Sequence, residues 1–178
     1  MQTLDTFAAA ALQHNKDGFE RIYPHPFLLL KVASQPEAQA SEDWSFQTRI
    51  LTTSGRREGR PPVLKESAAI YRVLPLVKDA SNPWPERISL GRARNNDVVL
   101  ADSSVSKLHG HYTWDKQGGM FLTDTNSRNG IIVQGERLPV NVRKPVRFGD
   151  AVSFGSINVT FISAAQLFTL IETLLHKA

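Results

Sequence analysis

HGHYTWDKQGGMFLTDTNSRNGIIVQGERL, residues 109–138, holds three short apolar stretches: HGHYTW, GMFLT and IIV. Between and after them stand DKQGG, NSRNG and QGE, rich in the residues that make turns. The same texture runs outward on both sides. AIYRVLPLV, RISL and DVVL come before it, and AVSF and INVTFI after it, punctuated by DASNPWP, RARNN and FGD. Apolar stretches recurring at roughly eight to twelve residues, with turn signals between them, read as an all-β sandwich or barrel. This pattern runs from about residue 68 to residue 163.

The flanks differ. Residues 4–15 read as a short helix with Leu4, Phe7, Ala8, Ala11 and Leu12 on one face, and Gly18 as its stop signal. YPHPFLLLKV (23–32) follows, two prolines and then a continuous apolar run that suits a buried strand. QPEAQASED (35–43) is a polar linker. WSFQTRIL (44–51) alternates as a strand does, and TTSGRREGRPP (52–62) is a long basic loop. At the other end, SAAQLFTLIETLLHKA (163–178) opens with Ser163 and Gln166 at capping-box spacing. Leu167, Leu170, Ile171, Leu174 and Leu175 then form a helical stripe. Such a stripe packs on its own domain, or serves as a docking or dimer helix; the first is the expectation. The chain divides into an N-terminal α/β extension docked on the sandwich (1–69), the sandwich itself (70–163) and a C-terminal amphipathic helix (164–178).

Composition narrows the function classes. The 178 residues are 41% apolar, enough for a real core. Twenty-one basic residues against 17 acidic ones give a formal charge of +4, mild and scattered. A nucleic-acid binder concentrates its basic charge on one face, so none is expected as a partner. The absence of cysteine excludes disulfides, thiolate metal sites and a thiol nucleophile. The N-terminus has no basic n-region and carries Asp5, and no apolar run is long enough for a span. A cytoplasmic protein without membrane contact is expected.

DSSVSKLHGHY (102–112) is the chemically dense stretch. Ser106 and His109 could be a nucleophile beside its base. No third group orients the imidazole, however, and no glycine-flanked elbow surrounds the serine. His109 and His111 could be half of a metal site, but no further ligands stand at a recognised spacing. Neither catalysis, metal nor cofactor is expected. The third option is an anion cradle. Gly91-Arg92 stands at a strand end, and Ser127, Arg128, Asn129 and Gly130 form another tight turn. Loops of a sandwich cluster at its ends. These three turns together would offer guanidiniums, an ammonium, hydroxyls, an amide and backbone N–H groups, which suits a phosphate on a peptide. Asp97 and Asp102 would cap turns through backbone N–H groups.

The ordered series G-R (91–92), N-x-D-x-x-L (95–100), D-x-S-V-S-x-x-H (102–109), L-x-D (122–124), S-x-N-G (127–130), V-x-G (133–135) and F-G-D…F-G (148–155) resembles a forkhead-associated (FHA) domain over residues 70–163. The resemblance implies an FHA-like eleven-stranded β-sandwich whose apical loops bind phosphothreonine. It implies that Arg92 contacts the phosphate, Ser106 hydrogen-bonds it, Lys107 adds charge and Asn129 clamps the peptide main chain. His109 would hold the Ser106 loop, while Gly91 and Gly130 permit the turns. Arg128 stands where the family often has Thr; it would add a phosphate or peptide contact, or face solvent. Gln134 stands where Asn is common and should still serve a hairpin turn. The function implied is a phosphothreonine-peptide-binding adaptor in Ser/Thr kinase signalling, without turnover. Its partner would be a phosphothreonine-containing protein or the kinase itself. The alternative is a phosphate-independent interaction scaffold.

Overall fold

The computed structural model describes residues 2–32 and 71–176. The linker, strand and basic loop expected between 35 and 62 lie outside these residues. Twelve strands are found among the described residues, against eleven expected, in two sheets packed face to face. β1 (Gln2–Thr3), α1 (Asp5–Gln13), α2 (Lys16–Ile22) and β2 (Phe27–Lys31) come first. β3 (Tyr71–Pro75), β4 (Ile88–Gly91), β5 (Val98–Val99), β6 (Gly110–Trp114) and β7 (Met120–Asp124) follow. β8 (Ile131–Val133), β9 (Glu136–Arg137), β10 (Lys144–Val146), β11 (Ala151–Phe154), β12 (Ile157–Ile162) and α3 (Ala164–His176) complete the order.

One sheet runs β1-β3-β2-β12-β11-β8-β9 and the other β10-β7-β6-β4-β5. Every pairing is antiparallel except β4 with β5. Leu28, Leu74, Leu90, Tyr112, Leu122, Phe154 and Phe161 fill the space between the sheets. The extension enters the larger sheet, where β2 lies between β3 and β12.

That position explains the continuous apolar run of β2. Leu28 and Leu30 face the sandwich, while Phe27 and Leu29 face the helices on the sheet's other side. A strand covered on both faces has no polar alternation to show. Phe27 and Leu28 are fully buried, each worth about 1.5–3 kcal/mol relative to exposure.

The helical layer packs through Leu4, Phe7, Phe19, Leu167, Phe168 and Ile171. The rings of Phe19 and Phe168 approach to 5.4 Å between centroids. α3 therefore spends its stripe on its own domain, as expected. Its capping box is formed in both directions: Gln166 N donates to Ser163 Oγ at 3.2 Å and Ser163 N to Gln166 Oε1 at 3.1 Å.

Two local expectations are corrected at the N-terminus. The helix ends at Gln13, so Leu12 falls in its last turn and is exposed rather than on the buried face. Gly18 does not stop a helix; it lies in the first turn of α2. Asn15 caps that helix, its Oδ1 accepting from Gly18 N at 2.9 Å.

Candidate functional site

The loops after β4, before β6 and between β7 and β8 meet at one end of the sandwich. Carboxylates shape them, Asp124 buried and Asp97 and Asp102 partly so. Asp124 accepts from Ser127 N (2.7 Å), Ser127 Oγ (3.0 Å) and Ile131 N (2.9 Å), closing the loop after β7. Ser127 Oγ in turn accepts from Gly130 N at 3.0 Å. Asp97 accepts from Ser89 N (2.6 Å), Asp79 N (2.8 Å), Asn82 Nδ2 (2.8 Å) and Lys78 Nζ (3.2 Å). Burial pushes the Asp97 carboxyl up, but these hydrogen bonds outweigh it and hold the pKa below the ordinary value. Asp102 Oδ1 accepts from Ser104 N (2.8 Å) and Ser104 Oγ (2.5 Å), which lowers its pKa as well. Each carboxylate thus satisfies turn donors, as expected of Asp97 and Asp102.

His109 joins two of the loops. It is fully buried. Ser106 N donates to its Nδ1 at 3.0 Å, and its Nε2 lies 3.0 Å from Gly130 O. An amide N–H only donates and a carbonyl only accepts, so the ring is the neutral Nε2–H tautomer. Both nitrogens are engaged, which leaves no lone pair for a metal. The imidazole bonds the Ser106 amide rather than its hydroxyl, so the two do not form a nucleophile–base pair.

Around this bridge the structure brings together Arg92, Ser106, Lys107, Arg128 and Asn129. Arg92 N donates to Ser106 O at 2.9 Å, and Arg92 Nε to Val105 O at 3.2 Å. Its two Nη atoms have no acceptor among the described residues. Arg128 N donates to Ser106 Oγ at 2.9 Å. Asn129 Nδ2 donates to Ser104 O at 2.7 Å, leaving its Oδ1 and second N–H open. Lys107 O takes Ala93 N (3.1 Å) and Asn96 Nδ2 (2.7 Å). Arg92, Lys107, Arg128 and Asn129 are exposed. No carboxylate pairs with these three cations among the described residues.

Glycine is required where these loops touch. A Cβ on Gly91 would lie 2.3 Å from Lys107 O, a backbone atom that cannot swing away. Gly130 has a φ of 79°, a conformation that side chains with Cβ seldom adopt.

Lys107 also borders a groove of about 350 Å³, lined among others by Trp84, Arg87, Ser89, Leu108 and His111. His111 stands opposite Ser89 and Thr123 on the outer face of the smaller sheet. It is half-buried, and burial first, then the positive charge of Arg87, holds its pKa below the ordinary value.

The family model described as FHA domain matches residues 88–155, a span that contains all these loops. This part of the chain is an FHA domain. A relative of known sequence is the ABC transporter ATP-binding/permease protein of Mycobacterium tuberculosis, 31% identical over 77 residues. The match takes in 43% of this chain and only 8% of the transporter. Among solved structures, EmbR of Mycobacterium tuberculosis in complex with a low-affinity phosphopeptide is 27% identical, with a TM-score of 0.42. The match covers 51% of this chain and 21% of that one. The FHA domain of the CT664 protein from Chlamydia trachomatis is 18% identical with a TM-score of 0.47, covering 78% and 97% of the two chains.

Three residues of the FHA domain's apical end escape the sequence reading. Ser104 Oγ accepts from Ser156 N at 2.9 Å, so the β11–β12 turn is tied to the Asp102 loop. A Cβ on Gly130 would lie 2.6 Å from Arg137 Cζ, which places the Arg137 guanidinium against the loop that carries Asn129. The only signal for Arg137 was hairpin register. Gln134 and Gly135 take φ values of 52° and 83°, and the turn sets Arg137 opposite Ile132.

No helix among the described residues is long and apolar enough to cross a membrane.

Proposed function

We propose that this FHA domain holds a phosphothreonine peptide in its apical loops, as a cytoplasmic adaptor in Ser/Thr kinase signalling with no turnover. The observation that carries this reading is the hydrogen bond from Arg128 N to Ser106 Oγ. Because the oxygen accepts from an amide, the hydroxyl proton is free to donate to an anion. Beside it, Arg92 spends Nε on Val105 O and keeps its Nη pair open. A guanidinium fork and a hydroxyl donor together suit a phosphate. The open Oδ1 and N–H of Asn129 take one main-chain N–H and one C=O of the residue after the phosphothreonine. Lys107 adds charge from the groove side. Arg128, anchored through its amide at Ser106, extends its guanidinium to the phosphate or the next residue. His109 and Gly91 hold the loops in place. Phospho-motif readers of this kind rest on arginine clusters.

The test is a titration with matched phosphothreonine, threonine and phosphoserine peptide pools. Binding is expected for phosphothreonine alone, to weaken below about pH 6 as the phosphate takes up its second proton, and to vanish in Arg92→Ala. Equal binding of all pools by the folded protein would overturn the reading in favour of a phosphate-independent scaffold.

A further inference from the structure

The outer faces of the two sheets differ. Helices α1, α2 and α3 cover the larger sheet. No helix packs on the smaller one among the described residues, and the groove of about 350 Å³ lies on that open face. Its build follows from strand direction. β4 and β6 are antiparallel, with Ser89 opposite His111. Trp84 and Arg87 precede β4, while Lys107 and Leu108 precede β6, so the two pairs enter the groove from opposite ends. Each pair sets a cation beside an exposed apolar side chain, Trp84 at 53% exposure and Leu108 at 48%. Ser89 and His111 form the floor between them.

The charge of the groove is one-sided. No Asp or Glu lines it. The Arg87 guanidinium lies over the Trp84 ring, 4.3 Å from its centroid, which fixes its place. Glu86 approaches it only at Nε, at 3.7 Å and from an exposed position, and leaves the Nη pair open. On the floor, Ser89 Oγ is engaged by Asn82 Nδ2 and Asp97 Oδ2. His111 Nδ1 is buried there with no partner among the described residues. An open guanidinium fork between exposed apolar walls, with no acid beside them, complements a carboxylate carried next to an apolar side chain.

We propose that this lateral groove is a second recognition site of the FHA domain, taking an acidic segment of a partner protein with a carboxylate on Arg87 and an apolar side chain between Trp84 and Leu108. The site needs no phosphate, and the proposal stands apart from the phosphopeptide reading given above.

The experiment uses unphosphorylated peptides and the full chain, isotope-labelled for chemical-shift mapping. One pool carries Asp or Glu within three residues of Leu, Phe or Trp, with Ala, Gly or Ser elsewhere. A control pool carries Asn or Gln in place of the acid. The acidic pool should move the Trp84 indole and the His111 ring, and should bind at least about fivefold more tightly than the control. A carboxylate beside Arg87 offsets that cation, so the His111 pKa should rise on binding. Arg87→Gln should weaken the acidic pool about tenfold with an unchanged melting temperature. Arg87→Lys should recover part of that loss, since it keeps the charge without the fork. A phosphothreonine peptide should not displace the pool. Equal binding of the two pools, or no response to either, would overturn the proposal. So would shifts confined to residues 126–130, or displacement by the phosphothreonine peptide, because the acid would then sit in the apical loops. A dimer in solution that Trp84→Ala converts to monomer would overturn it in favour of a second copy of the chain.

Discussion

The helical layer and the apical loops settle their side chains in opposite ways. On the helical side, Phe19, Leu167, Phe168 and Ile171 are consumed by one another and by the sheet. Leu170, Leu174 and Leu175 pack against the same cluster and stay partly exposed. At the loops, Asp97, Asp102 and Asp124 are consumed by turn donors, while the cations Arg92, Lys107, Arg128 and Arg137 keep open donors. A fold that spends its acceptors internally and leaves its donors outward is prepared for an anion. The contrast says where function lies: in what the packing leaves unused.

Four changes test the separation of the two regions. Leu167→Ala empties a fully buried position in the helical layer and should cost about 2–5 kcal/mol of stability. Phosphopeptide affinity, measured well below the melting temperature, should stay within about twofold. A parallel loss of affinity would show that the two regions are coupled.

Asp124→Asn acts on the other region. An amide would present donors toward Ser127 and Ile131, which are donors themselves. It should cost about 1–3 kcal/mol and weaken phosphopeptide binding several-fold, because the loop carrying Arg128 and Asn129 loses its closure. Denaturant unfolding and the same titration measure both.

Acid tests the carboxylates together. Asp79, Asp97 and Asp102 have pKa values lowered in the folded protein. A lowered pKa contributes stability that is fully present above the unfolded value, about 3.9, and is lost as pH falls through the folded one. The melting temperature should therefore lose this carboxylate contribution only below about pH 4. Asp97→Asn should flatten that acid slope.

The smallest effect belongs to the β8–β9 hairpin. Gln134 sits at a positive φ of 52°, where Asn is easier to place. Gln134→Asn should gain less than about 0.5 kcal/mol, read as a small rise in melting temperature with unchanged affinity.

What the sequence disclosed followed range. The capping box of Ser163 and Gln166 is local, and it formed as read. The all-β body was legible from apolar stretches between turn signals. Gly18 misled because a glycine near a helix reads as a stop, while the decisive contact was the Asn15 side chain reaching forward to its amide. The insertion of β2 between β3 and β12 was not legible, because a doubly buried strand shows only an apolar run and its neighbours lie far along the chain. The site followed the same rule. Motif order pointed to Arg92, Ser106 and Asn129, with Arg128 standing at a departure from it, and hydrogen bonds now join their loops. Arg137 reaches Gly130 only through hairpin register, which no single-residue signal carries.

The most direct measurement is amide chemical-shift mapping of the whole protein during titration with one phosphothreonine peptide and its unphosphorylated twin. The phosphorylated peptide should move the amides of residues 91–93, 104–109 and 126–130. The amides of α3 should stay still, and the twin should move nothing. Shifts centred on α3 or α1, or equal shifts with both peptides, would contradict phosphothreonine binding at the apical loops.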